Sequence, residues 1–132
     1  MAGRNGAPPL VLLVDDSEDN REVYAQYLAF SGFRVEIAVD GVEAVEKAAG
    51  LQPDVIVMDL SLPRLDGWEA TRQIKSAPDT RRIPVIALTG HAVTESKRKA
   101  LDAGCSGYLT KPCLPDILVS EIRRLVSPRA VV

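Results

Sequence analysis

"VIVMDLSLPRLDG" (residues 55–67) decides how this sequence is read. Four apolar residues, Val55, Ile56, Val57 and Met58, run straight into Asp59. A short unbroken apolar run bounded by turn-forming residues is the pattern of a strand covered on both faces. A carboxylate at the end of such a strand is costly to bury unless an opposite charge meets it. The stretch therefore predicts a covered strand and raises the question of what Asp59 faces.

Outward from it, four more runs have strand character: "LVLLV" (10–14), "VEIAV" (35–39), "VIAL" (85–88) and "GYLT" (107–110). Helical patterns separate them. Five strands and five helices in strict alternation predict an α/β domain with a parallel sheet and right-handed connections. "VEIAV" alternates, with Val35, Ile37 and Val39 on one face, which predicts a half-exposed edge strand. Ser17 caps the first predicted helix, Glu18 and Asp19 occupy its first turn, and Gly32 follows its end. Val23, Tyr24, Tyr27 and Leu28 form its apolar stripe. Asp40 with Glu43, and Asp66 with Glu69, have capping-box spacing for the second and third helices. Thr94 opens the fourth, which stops at Gly104. Pro115 opens the fifth, whose Leu118, Ile122 and Leu125 face inward.

The 132 residues suit one domain with its own core. Residues 1–9 read as a flexible extension lacking the apolar segment of a secretory signal, 10–126 as the domain, and 127–132 as a short tail. A formal net charge of −2 gives no global electrostatic case for nucleic acid or an anionic membrane. No apolar run approaches the roughly 20 residues that span a bilayer. Cys105 and Cys113 are too few and wrongly spaced for a redox pair or a zinc site, and are expected to be reduced and structural in a cytoplasmic chain.

Ligands of open parallel sheets gather at the carboxyl ends of the strands. Asp15 and Asp16 follow the first predicted strand, Asp59 the third, Thr89 and Gly90 the fourth, Lys111 and Pro112 the fifth. Three carboxylates, a hydroxyl and an amine thus converge on one rim. Crowded carboxylates repel, and protonation or a bound cation relieves them. Mg²⁺ suits one or two carboxylates, a carbonyl and waters. Lys111 offers an ammonium to a phosphoryl oxygen or to Asp59, and Thr89 offers a hydroxyl. Asp59 then makes sense as a nucleophile that forms an acyl phosphate.

The set "VDD", "VMDLSLPRLDG", "ALTG" and "GYLTKP" resembles the receiver domain of two-component response regulators, over residues 10–126. The intervals from Asp59 to Thr89 and from Thr89 to Lys111 agree with the family's. The resemblance implies a flavodoxin-like, doubly wound (βα)5 fold with strand order 2-1-3-4-5. It implies that Asp59 accepts a phosphoryl group from a phosphohistidine on a sensor histidine kinase or histidine phosphotransfer protein. Asp16, Asp59 and the Ser61 carbonyl would ligate Mg²⁺, with Asp15 acting mainly through water. Thr89 and Lys111 would bind phosphoryl oxygens, and Tyr108 would be the switch aromatic. The Lys111–Pro112 bond is commonly cis in the family. Gly90, Leu62 and Leu65 depart from common family residues without touching the chemistry.

The expected function is a stand-alone phosphorylation-dependent signalling switch with only self-phosphorylation and autodephosphorylation activity. Its output would pass through a downstream protein, without direct nucleic acid or membrane contact, as a monomer or weak phosphorylation-dependent homodimer. Two readings from other classes stay open: a Mg²⁺-dependent phosphohydrolase, which would need a substrate cap, and a pseudo-receiver that has lost phosphorylation. His91 reads as a solvated loop residue with at most a tuning role, and Trp68 as a packing residue.

Overall fold

A computed structural model describes residues 8–60, 67–89, 98, 101–111 and 113–126. In chain order they form β1 (Leu10–Val14), α1 (Glu18–Phe30), β2 (Arg34–Ala38), α2 (Gly41–Leu51), β3 (Val55–Asp59), α3 (Gly67–Ser76), β4 (Val85–Thr89), β5 (Gly107–Thr110) and a last helix, Pro115–Val126. The last is labelled α4 here, although the sequence orders it fifth. All strand pairs are parallel, and the order is β2-β1-β3-β4-β5, the fold class expected. Of the predicted fourth helix, Arg98, Leu101 and Asp102 are helical. Gly104 ends it with φ +104°, a conformation that glycine adopts without steric cost. Thr94 and Asp66 lie outside the described residues.

Side chains alternate across the sheet with a period of two. Val11, Leu13, Val55, Val57, Ile86 and Leu88 pack on one face with Tyr24 and Leu28 of α1 and Leu118, Val119 and Ile122 of α4. Leu12, Val14, Ile56, Met58, Val85 and Ala87 pack on the other with Ala44 and Ala48 of α2 and Ala70 and Ile74 of α3. Helices on both faces are the reason β1, β3 and β4 read as unbroken apolar runs. β3 and β4 each extend one residue further than their apolar runs, so Asp59 and Thr89 are themselves strand residues.

Two local expectations are corrected. β2 ends at Ala38, which is fully buried, while Val39 is exposed, so the edge-strand alternation stops at Ile37. On α1 only Tyr24 and Leu28 are buried, while Val23 is 57% exposed and Tyr27 39%. The helix touches the core along a narrow i, i+4 seam instead of a broad stripe. The caps behave as expected: Ser17 Oγ accepts from the Asn20 N–H at 3.3 Å, and Asp40 Oδ1 from the Glu43 N–H at 2.8 Å. Glu43 reaches back one residue beyond the cap, accepting from the Val39 N–H at 2.8 Å. Cys105 and Cys113 are free and buried. Trp68 packs partly buried against the α2/α3 side of the core. Among the described residues no helix is long and apolar enough to cross a membrane.

Candidate functional site

Asp15 leaves β1 without leaving the sheet, because its N–H donates to the Ala38 carbonyl at 3.1 Å. Its Oδ1 accepts from the Ser17 N–H at 2.9 Å, and Arg21 Nη1 donates to its backbone carbonyl at 3.0 Å. Three contacts therefore fix Asp15 through its backbone and Oδ1. Its Oδ2 is buried, has no hydrogen bond among the described residues, and lies 3.5 Å from Lys111 Nζ. Lys111 Nζ donates to Asp59 Oδ2 at 3.1 Å. Asp59 is buried, whereas Asp16 stands exposed at the rim. One carboxylate oxygen from each of Asp15, Asp16 and Asp59 lies within 4.8 Å of the others.

Burial opposes the charge on Lys111, but Asp59 and then Asp15 outweigh it and hold the ammonium's pKa above the usual lysine value. Among the described residues, Lys111 is the cation paired with two of these three carboxylates. A buried carboxylate oxygen without a hydrogen bond, in an all-oxygen donor set, fits a hard divalent ion such as Mg²⁺. Asp15, Asp16 and Asp59 are the described side chains that would hold it.

The alternation that sorts the core also sorts the site. Asp59 continues the face of Val55 and Val57 and pairs in register with Leu88, which places it on the α1/α4 side. Thr89 continues the face of Val85 and Ala87, and Tyr108, paired with Ala87, packs partly buried on that same α2/α3 side. The Lys111 N–H donates to the Thr89 carbonyl at 2.6 Å, tying the end of β5 to the end of β4. The structure thus gathers Asp15, Asp16, Asp59 and Lys111 into one cluster, with Thr89 joined to it through the backbone. Tyr108 sits further from the rim on β5. Ser61, Gly90, His91 and Pro112 lie outside the described residues, and so does the Lys111–Pro112 bond.

Three residues near the cluster escaped the sequence reading. Arg21 follows Ser17 by four positions, a spacing that puts it one turn above the cap and was a usable signal. Gly67 enters the sequence reading only as the last residue of the 55–67 stretch, with no role of its own. Tyr24 was read as apolar stripe, yet its hydroxyl donates to the Cys113 carbonyl at 2.9 Å, a contact between residues 89 apart in sequence. No local pattern reports such a pair.

The charge balance makes a prediction. Lys111→Met removes the only cation paired with Asp15 and Asp59 among the described residues. Without divalent ions it is expected to lower stability by about 2 kcal/mol, since stripping one partner from a buried pair costs about 3–5 kcal/mol and Lys111 is partly exposed. Millimolar Mg²⁺ should restore most of the loss. Urea midpoints with and without Mg²⁺ measure this; identical midpoints for variant and parent in EDTA would show the pairing contributes nothing.

The response regulator receiver domain family matches residues 11–123. Response regulator MprA of Mycobacterium sp. (strain KMS) is 40% identical over 119 residues, 90% of this chain and 51% of that protein. MprA of Mycobacterium leprae (strain TN) is 41% identical over 116 residues, 88% of this chain and 50% of that protein. The chain therefore spans about half the length of these relatives. Among solved structures, the receiver domain of a sensor histidine kinase from Pseudomonas aeruginosa PAO1, with a magnesium ion coordinated in its active site cleft, is 38% identical with a TM-score of 0.85. The alignment covers 91% of this chain and 98% of that one. Chemotaxis protein CheY4 of Vibrio cholerae is 33% identical at a TM-score of 0.85, covering 90% and 99%. By family match, sequence identity and fold together, this chain belongs to the response regulator receiver domains.

Proposed function

We propose that the chain is a phospho-accepting switch. Asp59 takes a phosphoryl group from the phosphohistidine of a sensor histidine kinase or histidine phosphotransfer protein, with Mg²⁺ as cofactor, and the modified state signals to a protein partner. The observation that carries this reading is the buried Asp59 carboxylate, 3.1 Å from the Lys111 ammonium and crowded by two more carboxylates.

In the transfer, an Asp59 carboxylate oxygen attacks phosphorus as the P–N bond to the imidazole breaks, and that nitrogen keeps the electron pair and takes up a proton. Bound Mg²⁺ supplies charge neutralisation at the phosphoryl oxygens and among the three carboxylates, and the magnesium seen in the Pseudomonas relative supports its use here. Lys111 turns from Asp59 to a phosphoryl oxygen. The Thr89 hydroxyl takes another. Because Thr89 and Tyr108 share one face of adjacent strands, displacement of Thr89 is felt at Tyr108, and the change reaches a partner as a shift between two states.

The test is incubation with acetyl phosphate followed by intact mass measurement. The expected result is a gain of one phosphoryl group in Mg²⁺, none in EDTA, and loss of the adduct to hydroxylamine, as for an acyl phosphate. No gain in Mg²⁺, or an equal gain in EDTA, would remove the basis for the reading.

A further inference from the structure

Lys111 is the one residue of the cluster that comes from the far side of the sheet order, at the end of β5, next to the segment that leads into α4. Its backbone is held on the strand side by the N–H bond to the Thr89 carbonyl. What holds the other side is a residue of α1. The Tyr24 hydroxyl, on a side chain only 8% exposed, donates to the carbonyl of Cys113, two residues after Lys111. This bond joins the helix that follows Asp15 and Asp16 to the segment that follows the ammonium-bearing residue. Tyr24 belongs to the same α1/α4 side of the core as Cys113 and Leu118, so its ring is clamped by packing and its hydroxyl has a fixed aim.

We infer that Tyr24 is a positioning residue for phosphoryl acceptance: by anchoring the Cys113 carbonyl it sets where the Lys111 ammonium stands relative to Asp59 and Asp15. The inference rests on the function proposed above. Among the described residues the Tyr24 hydroxyl bonds to the Cys113 carbonyl and to no carboxylate, so it acts on Lys111 through that carbonyl. The phenol's environment agrees with that placement. Burial raises its pKa most, the Cys113 thiol and Asp15 raise it further, and Lys111 pulls it down, so the phenol feels both members of the ion pair it steadies.

A positioning role and a plain core role differ in what Tyr24→Phe does. The substitution keeps the ring and deletes one hydroxyl. Asp15, Asp16 and Asp59 sit at or just past the ends of β1 and β3 and do not depend on it, so the apparent Mg²⁺ affinity should change less than twofold. The first-order rate of phosphoryl incorporation from acetyl phosphate, in saturating Mg²⁺ and well below the melting temperature, should fall about tenfold, the factor that one hydrogen bond commands. In a Lys111→Ala background the same substitution should lower the residual rate by less than twofold, because the group it positions is gone.

A Tyr24→Phe rate within twofold of the parent overturns the inference, and so does an undiminished tenfold loss in the Lys111→Ala background. A parent protein that gains no phosphoryl group in Mg²⁺ instead overturns the functional reading, and the inference with it. A labelled parent beside an unaffected variant condemns the role of Tyr24 alone.

Discussion

Asp59→Asn is expected to cut phosphoryl incorporation from acetyl phosphate by at least about a thousandfold, the scale of losing the nucleophile itself. The fold should survive. The amide matches the carboxylate in shape, and the change removes one of the carboxylates that crowd each other. Lys111 keeps Asp15 as a counter-ion at 3.5 Å. Stability should therefore stay within about 1 kcal/mol of the parent, because relief of like-charge repulsion offsets the lost ion pair. Intact mass and urea denaturation on the same sample separate the two effects. Residual labelling at more than about a tenth of the parent rate would place the acceptor elsewhere, and unfolding would make Asp59 a structural charge.

Gly67→Ala carries the second large effect, and its sign separates two arguments. Gly67 opens α3, and helix propensity alone predicts that alanine there stabilises by up to about 1 kcal/mol. The contacts predict the reverse. A Cβ at Gly67 would lie 2.4 Å from the Asp59 carbonyl oxygen and 2.6 Å from Leu60 Cα, both backbone atoms that cannot swing aside. The Gly67 N–H also donates to the Leu60 carbonyl at 3.1 Å, so the start of α3 is pressed against the end of β3. We expect a loss of about 3 kcal/mol, in the range for forced overpacking. The folded fraction should also accept phosphate more slowly, because the displaced peptide is that of Asp59. Gly50→Ala in α2 is the internal control, since a Cβ there meets nothing within 4 Å and should stabilise by about 1 kcal/mol or less. Equal stabilisation by both substitutions, read from urea midpoints, would refute the packing argument.

The sheet was legible because its central strands are covered on both faces, so hydrophobicity alone marks residues 10–14, 55–58 and 85–88, one residue short of the ends of β3 and β4. Asp15, Asp16 and Asp59 were legible for a related reason. A charge directly after an apolar run is visible in one dimension. Less could be read where the partner decides the outcome. Val39 and Ala38 exchange roles because β2 stops one residue early, and Val23 and Tyr27 face outward because α1 meets the core along a narrow seam. The Tyr24–Cys113 bond and the close approach of Gly67 to Asp59 arise only when distant segments are brought together. Alternation within strands did contain one unread fact: Asp59 and Thr89 are both terminal strand residues, yet they continue opposite faces of the sheet.

The proposed phosphoryl chemistry needs a divalent cation among Asp15, Asp16 and Asp59, and paramagnetic relaxation by Mn²⁺ locates such an ion directly. In an amide NMR spectrum, substoichiometric Mn²⁺ is expected to broaden first the signals of Asp15, Asp16, Asp59 and their immediate neighbours, and excess Mg²⁺ should reverse it. Broadening centred instead on the exposed acids of α1, or none beyond nonspecific background, would contradict it.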